Sequence, residues 1–342
     1  MLSQFERVNV CAPMVRYSKL AFRQLVSQYE THITTTPMML AKEFSRSAIA
    51  RDSDFSTNSL ERGTFYMEEV RRGAPVVELD ESPEPRGILS TPRRRRRKVR
   101  GSLIVQFAAN DGQQLADAAE LVKPWVDGID LNCGCPQKWA YQEGIGCALL
   151  RKPELVRDLV RSTKQRVGWD FPVSVKIRVD PDLTLTNELV RTAIAAGADI
   201  LTVHGRTRHQ SSSGHPVNLE SLAFAVECAK GDIPCMANGD VFTLDDAEET
   251  RRRCNVRGVM SARGLLANPE FTRLSTSLGL IYPLFHRHVS YMLESHLPRK
   301  RDRTYFNSLS SHAGVMDYLE EEMGLDLRGG KNTGLEKPLS LL

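Results

Sequence analysis

The sequence is poor in the features that mark several large protein classes. None of its 342 residues belongs to an apolar run near the roughly 18 residues that a membrane helix needs. The opening MLSQFERVNV has no apolar stretch behind a basic patch, so it does not read as a secretory leader. Seven cysteines are too few for a disulfide scaffold in so long a chain, and none of them forms a CxxC pair that could seed a zinc site. The expected compartment is therefore the reducing cytosol or nucleus, and no metal is expected. No GxGxxG follows a predicted strand, which argues against a Rossmann-type nicotinamide site.

Charge is close to balanced once one segment is set aside. The formal net charge is +4, but residues 93–100, RRRRRKVR, supply seven positive charges alone. Without them 39 basic residues face 42 acidic ones, a net of −3. The overall sum therefore says little about a basic binding face, and location matters more.

What is present is a regular alternation. Strands are predicted at 8–14, 33–40, 103–109, 128–135, 172–179, 200–206, 233–240 and 258–264. Amphipathic helical stretches lie between them, such as PELVRDLVRSTKQRV (153–167) and ELVRTAIAAGA (188–198). Eight strands in about 260 residues, each followed by a helix, predict an α/β fold of the closed (β/α)8 barrel type; an open doubly wound sheet is the alternative.

The rhythm breaks twice. Residues 59–100 are rich in proline, glycine and charge, and read as a disordered basic insertion. Its arginine run suits RNA phosphates or a nuclear localisation signal, or is a solvated loop of no consequence. After Asn268 the alternation stops, and 269–325 reads as a small helical domain, with 326–342 as a tail. Its His286 to Arg303 stretch has many His and Arg and few acids, which suits a polyanion or is a solvated face.

Barrel enzymes work at the carboxyl ends of their strands. Those ends carry Pro13 and Met14, Gln106, Asn132 to Cys135, Lys176 and Arg178, then His204 and Arg206, Asn238-Gly239-Asp240, and Ala262-Arg263-Gly264. A glycine turn and an arginine after the last two strands are the parts of a phosphate cradle. With a lysine and a glutamine amide nearby, such a barrel suits flavin mononucleotide (FMN). Lys176 would face the ring where negative charge develops, and Gln106 can both donate and accept. For Lys176 a buried pair with a carboxylate is the alternative, and for His204 a satisfied core histidine.

GIDLNCGCPQKWA (128–140) holds two cysteines around one glycine. A disulfide between residues two apart is badly strained, which leaves one functional thiol or none. Pro136 keeps Cys135 extended and turns the chain away from the strand, so Cys135 is expected at the barrel mouth. Gly134 is expected to let the turn come close. A thiol of ordinary acidity is mostly protonated at neutral pH and can donate its proton. Cys133 and the five other cysteines read as small buried hydrophobes.

APMV (12–15), VQFAAND (105–111), DLNCGCPQKWA (130–140), VKIR (175–178), TVHGRT (202–207), ANGD (237–240) and VMSARGLLANP (259–269) together resemble the tRNA-dihydrouridine synthases. The likeness runs from about residue 8 to 270. CGCPQ-W-A followed by EGIGCALL is most similar to the eukaryotic class acting at tRNA positions 20a and 20b. The resemblance implies an FMN-binding (β/α)8 catalytic domain (1–268) followed by a shortened helical tRNA-binding domain. It implies reduction of the C5=C6 bond of a D-loop uridine, with NADPH or NADH as electron donor. It implies Cys135 as proton donor, and Asn132 and Arg178 as contacts to the uracil. Pro13, Met14, Val15, Gln106, Lys176, His204, Asn238, Gly239, Asp240, Ala262 and Arg263 would hold FMN. It also implies a monomer whose partner is tRNA. Two other functions stay open from the residues: an FMN barrel that reduces a free pyrimidine or another activated alkene, and an RNA-binding relative with impaired turnover.

Overall fold

In a computed structural model of the protein, residues 2–70, 96–266, 280–294 and 296–325 are described. In chain order these residues form β1 (Val8–Cys11), α1 (Leu20–Val26), β2 (Ile33–Thr35), β3 (Met39–Leu40), α2 (Ala41–Arg46) and α3 (Ala48–Asp54). Next come β4 (Thr64–Glu68), β5 (Arg96–Arg100), β6 (Ser102–Ala108), α4 (Gly112–Val122), β7 (Gly128–Cys133) and α5 (Lys138–Gln142). They are followed by α6 (Pro153–Val167), β8 (Val173–Arg178), α7 (Leu183–Ala195), β9 (Ile200–His204), α8 (Leu219–Cys228), β10 (Cys235–Asn238), α9 (Leu244–Cys254) and β11 (Gly258–Ser261). Three C-terminal helices close the order, α10 (Tyr282–Met292), α11 (Lys300–Ser308) and α12 (His312–Glu321).

The parallel pairing closes on itself. β1 pairs with β2 on one side and β11 on the other, β2 pairs with β6, and β6 to β11 pair in sequence. All eight predicted strands are in this ring, so the fold is the expected (β/α)8 barrel rather than an open sheet. β3 prolongs the second strand along β6.

Local chemistry explains the alternation. Helix α6 starts with Pro153, whose missing N–H costs nothing in a first turn, and ends at Gly168 with φ +97. Its Val156, Leu159, Val160 and Val167 recur at helical spacing and are buried. The helices α4, α7, α8 and α9 begin with side-chain caps from Asp111, Asp182, Asn218 and Thr243. Ile129, Leu131 and Cys133 of β7 join the apolar layer between strands and helices. Strand alternation therefore sends Asp130 and Asn132 to the barrel interior.

The segment 59–100 departs from the expectation of disorder at both ends. Ser59–Glu61 is a short 3-10 turn capped by Asn58. β4 and β5 form an antiparallel ribbon that pairs Tyr66 with Lys98. Phe65 and Met67 are buried, and the Phe65 ring lies edge-on to His32 at 4.9 Å. Two apolar residues in alternation inside TFYME are too short a signal to stand out beside so much charge. Glu61 is buried against Arg23, with Nε to Oε2 at 2.5 Å. Residues 71–95, including Arg93 to Arg95, lie outside the described residues.

The helices α10 to α12 bury Phe285, Val289, Phe306, Val315 and Leu319 in one cluster with Phe22 and Leu25 of α1. His288 packs on Tyr17 and Phe22 at 5.3 and 5.1 Å. Of the His/Arg-rich stretch, His286 and His288 thus turn inward, His286 stacking on Phe306. Arg299, Lys300, Arg301 and Arg303 stay exposed beside Tyr305. The expected shortening after Asn268 falls on residues 267–279, outside the described residues.

Candidate active site

Parallel register sets the neighbours at the barrel mouth. Gln106 pairs with Asp130, Asn132 with Lys176, Arg178 with His204, and Asn238 with both His204 and Met260. Five of the residues singled out in the sequence, Asn132, Lys176, Arg178, His204 and Asn238, are thus adjacent across three interstrand seams.

Beyond β9 and β10 these strands open a cavity of about 230 Å³. Of the expected site residues, Arg178, His204, Asn238, Gly239, Asp240, Ala262 and Arg263 line it. Gln106, Asn132, Lys176 and Cys135 lie on the neighbouring strands and turn and do not line it. Of the β1 turn, Met14 is buried with its N–H on Ser18 Oγ at 2.9 Å, Pro13 is half-buried and Val15 is exposed.

An ion network shapes the phosphate-sized end. Asp240 accepts from Arg206 Nη2, from Arg263 Nη2 at 2.7 Å and from the Val217 N–H at 2.9 Å. Burial pushes the Asp240 carboxyl up, but these hydrogen bonds and the two guanidinium charges outweigh it and hold it below the usual carboxylate range. Arg178, Arg206 and Arg263 against Asp240 leave the lining with a surplus of two positive charges. That matches a phosphate monoester, which carries about −1.5 to −2 near pH 7. Gly239 has φ +130, and a Cβ there would lie 2.6 Å from Val217 Cγ2 and 3.1 Å from His204 Cδ2. Only glycine fits that turn.

His204 is neutral. Burial first, then the charges of Lys176, Arg178, Arg206 and Arg263, push its pKa down to about 2. Arg206 Nη1 lies 3.2 Å from its Nε2. A guanidinium only donates, so Nε2 accepts and Nδ1 carries the hydrogen. Lys176 is lowered to about 8, by burial first, with the charge of Asp130 drawing it back. Among the described residues its ammonium has no hydrogen-bond or ion-pair partner, so the alternative of a tight lysine–carboxylate pair is not what forms. The Arg178 Nε is buried and unpartnered as well, while its Nη1 donates to Thr207 O at 2.8 Å and Gln210 O at 3.0 Å. Unsatisfied donors, a glycine turn and a surplus of two positive charges fit an anionic nucleotide such as FMN.

The cysteine turn is held from behind. Asn132 Oδ1 accepts from the N–H of Gly134 at 3.0 Å and of Cys135 at 2.9 Å. Asn132 Nδ2 donates to Gln106 Oε1 at 2.7 Å, and Gln106 Nε2 donates to Asp130 Oδ2 at 2.7 Å. Asn132 therefore keeps one N–H for a ligand, and Gln106 keeps one N–H and one lone pair. Cys135 is half-buried, whereas the six other cysteines are buried. Burial raises Cys147 to about 12 and Cys133 well above its ordinary value. One thiol of the pair is thus accessible. Across the mouth, the Arg208 guanidinium sits 3.4 Å from the Tyr141 ring, joining the β9–α8 loop to α5.

The close approach at this turn is not at Gly134, where a Cβ would meet Ile177 C at an ordinary 3.4 Å. It is at Gly146, with φ +62, where a Cβ would lie 2.8 Å from Cys135 O. Sequence reasoning passed over Gly146 and Asp130 as site residues. For Asp130 the signal was legible: an acid two residues before Asn132 shares its inward face. Arg206 stood at a strand end, but its partnership with Asp240 had no signal in the sequence.

Comparison with known proteins settles the family. The family model described as dihydrouridine synthase (Dus) matches residues 10–65 and 82–305. The chain belongs to the dihydrouridine synthase family. A mouse (Mus musculus) protein named tRNA-dihydrouridine(20a/20b) synthase NAD(P)+-like is 41% identical over 343 residues, 95% of this chain and 91% of that protein. A fission yeast (Schizosaccharomyces pombe) protein named tRNA-dihydrouridine(20a/20b) synthase NAD(P)+ is 42% identical over 329 residues, 92% of this chain and 87% of that protein. A rat (Rattus norvegicus) tRNA-dihydrouridine(16/17) synthase NAD(P)(+)-like is 34% identical over 261 residues, 76% of this chain and 50% of that protein. The dihydrouridine synthase match spans the barrel strands, the cysteine turn, the C-terminal helix α10 and the first six residues of α11.

Proposed function

We propose that this dihydrouridine synthase reduces the C5=C6 bond of a D-loop uridine of tRNA, at position 20a or 20b, with NAD(P)H as electron source and FMN as resident cofactor. The observation that carries the mechanism is the accessible Cys135 thiol, anchored at the barrel mouth by Asn132. The relatives named for 20a/20b, matched over nearly their full length, support the substrate position.

FMN, when bound, relays two electrons from NAD(P)H and supplies hydride to C6 of the base. The protein's own residues do the rest. The uridine leaves its stack to reach a pocket at the barrel mouth. Cys135 holds a proton at Sγ and gives it to C5, so that one hydride and one proton complete the reduction. The single free N–H of Asn132 can only donate, which suits a uracil carbonyl. Arg178, fastened by Thr207 and Gln210, lines the same cavity as Arg206 and Arg263 and would bring its fixed positive charge to the uracil from that side. Lys176, the neutral His204, Gln106 and the Asn238–Asp240 turn with Ala262 and Arg263 hold the cofactor. The β1 turn, Pro13 to Val15, would complete the set that holds it. The exposed Arg299, Lys300, Arg301 and Arg303 with Tyr305 offer tRNA phosphates a basic face. We propose a monomer.

The test is to incubate the protein with unmodified tRNA, FMN and NADPH and to map dihydrouridine. Cys135→Ala is expected to stay yellow with FMN and lose most turnover, while Cys133→Ala stays active. Equal activity of the two variants refutes the assignment of the acid. Reduction of free uracil with none in tRNA refutes the substrate.

A further inference from the structure

The hydrogen-bond chain behind Cys135 has a direction, and one carboxylate sets it. Burial raises the Asp130 pKa, and the hydrogen bonds from Gln106 and Ser174 and the charge of Lys176 draw it back; as a carboxylate Asp130 only accepts. Asp130 accepts from Ser174 Oγ at 2.5 Å on one oxygen and from Gln106 Nε2 at 2.7 Å on the other. Gln106 must therefore turn its NH₂ to Asp130 and its Oε1 to Asn132. Asn132 then has to present Nδ2 to Gln106, which leaves Oδ1 facing the turn, where it accepts the Gly134 and Cys135 N–H groups. Gln106 and Asn132 are 1% and 8% exposed, so water offers neither amide a substitute partner.

We infer that Asp130 is a positioning residue for Cys135: its charge fixes the orientation of two buried amides, so that the thiol-bearing turn meets an acceptor. The inference rests on the reading of Cys135 as proton donor. If either amide flips, Asn132 Nδ2 faces the two N–H groups, donor against donor, and the turn loses that anchor. What remains is the Cys135 carbonyl, which accepts from the Cys147 N–H at 3.0 Å. That contact holds the far side of the turn and leaves the Gly134 and Cys135 N–H groups unpaired. Ser174 supports Asp130 but stands outside the chain of amides, so its loss should not change the direction.

The direction can be reversed by design. In D130N the position-130 amide keeps its oxygen for Ser174 and offers Gln106 a donor; the opposite turn would put its NH₂ on Ser174 Oγ and send the Ser174 hydrogen to Ile129 O, 3.2 Å away, and would show as unchanged exchange. In N132D alone, two carboxylates face one amide. In D130N/N132D the donor at 130 reaches Gln106 Oε1, Gln106 Nε2 reaches the carboxylate at 132, and that carboxylate still accepts both turn N–H groups. The charge has only moved from the far end of the chain of amides to the end beside the thiol, and Lys176 is the strand neighbour of position 132.

The measurement is hydrogen exchange of the Gly134 and Cys135 amides in the FMN-loaded protein, together with the rate of Cys135 alkylation by iodoacetamide. Neither requires turnover. D130N and N132D should each speed exchange at least about ten-fold, equivalent to about 1.4 kcal/mol. D130N/N132D should return to within about three-fold of the parent, and Ser174→Ala should also stay within three-fold. Unchanged exchange in D130N overturns the inference, and so does a double variant as fast as the worse single one. Equal loosening by Ser174→Ala overturns it too, because general packing then explains the effect. If D130N fails to fold, D130N/N132D must still fold and protect the turn, or the inference falls. Undiminished turnover in Cys135→Ala overturns the proton-donor reading alone, since the exchange data do not depend on it.

Discussion

Replacing Glu61 by glutamine leaves the Arg23 guanidinium charged, buried and without its counter-ion. Arg23 and Glu61 are 2% and 1% exposed. They meet through two contacts, Nε to Oε2 at 2.5 Å and Nη2 to Oε1 at 3.3 Å. Removing one partner of such a pair costs about 3–5 kcal/mol. Two features place this site at the lower end. Arg23 also donates to Ser18 O at 2.8 Å and Ser56 O at 2.7 Å, and glutamine can still accept one hydrogen bond. The expected loss for Glu61→Gln is thus about 3 kcal/mol, or about 6 °C at about 2 °C per kcal/mol for a chain of this length. Urea titration reads it as a lower midpoint at constant slope. The double variant Arg23→Met/Glu61→Leu removes both charges and their desolvation, and should recover most of the loss. A single-variant loss below about 1 kcal/mol would refute the reasoning. So would a double variant no better than Glu61→Gln.

Three further expectations follow from the same physics. Burial pushes His32 to about 4, His204 to about 2 and His288 to about 3; the unfolded chain takes protons near pH 6.5 that the folded one refuses, so stability falls as pH drops from about 6.5 towards 4, by up to about 4 kcal/mol per unit for three groups. Urea midpoints at pH 7, 6 and 5 that do not move would contradict it. Gly239→Ala, forced to φ +130 against Val217 and His204, should weaken FMN binding at least about ten-fold in a fluorescence titration; unaltered affinity would remove Gly239 from the cradle. Replacing Arg299, Lys300, Arg301 and Arg303 with serine should weaken tRNA binding and flatten its salt dependence by up to about 0.7–0.9 for each phosphate no longer neutralised. An unchanged slope would mean that tRNA does not touch this face.

Much of the barrel could be read before any coordinates. The eight strands from Val8 to Ser261 stood out because period-two and helical-period patterns are written into neighbouring residues. The ribbon of β4 and β5 did not stand out. Only Phe65 and Met67 mark it, and their burial depends on His32 and the rest of the core meeting them from elsewhere in the chain. His286 and His288 are the converse: basic by composition, yet turned inward by Phe306 and Phe22.

For the barrel, the sequence by itself determined the element types, the strand order and which residues end the strands, since all three depend on local spacing and composition. Tertiary structure decided which of those residues meet. Closing a parallel sheet into a ring sets one register for every seam, and that register puts Gln106 beside Asp130 and Arg178 beside His204. It also puts Arg206 against an Asp240 that lies 34 residues further on. A distance along the chain carries no information about such contacts. The charge state of His204, the direction of the amide chain and the separation of Cys135 from its buried neighbours all follow from them.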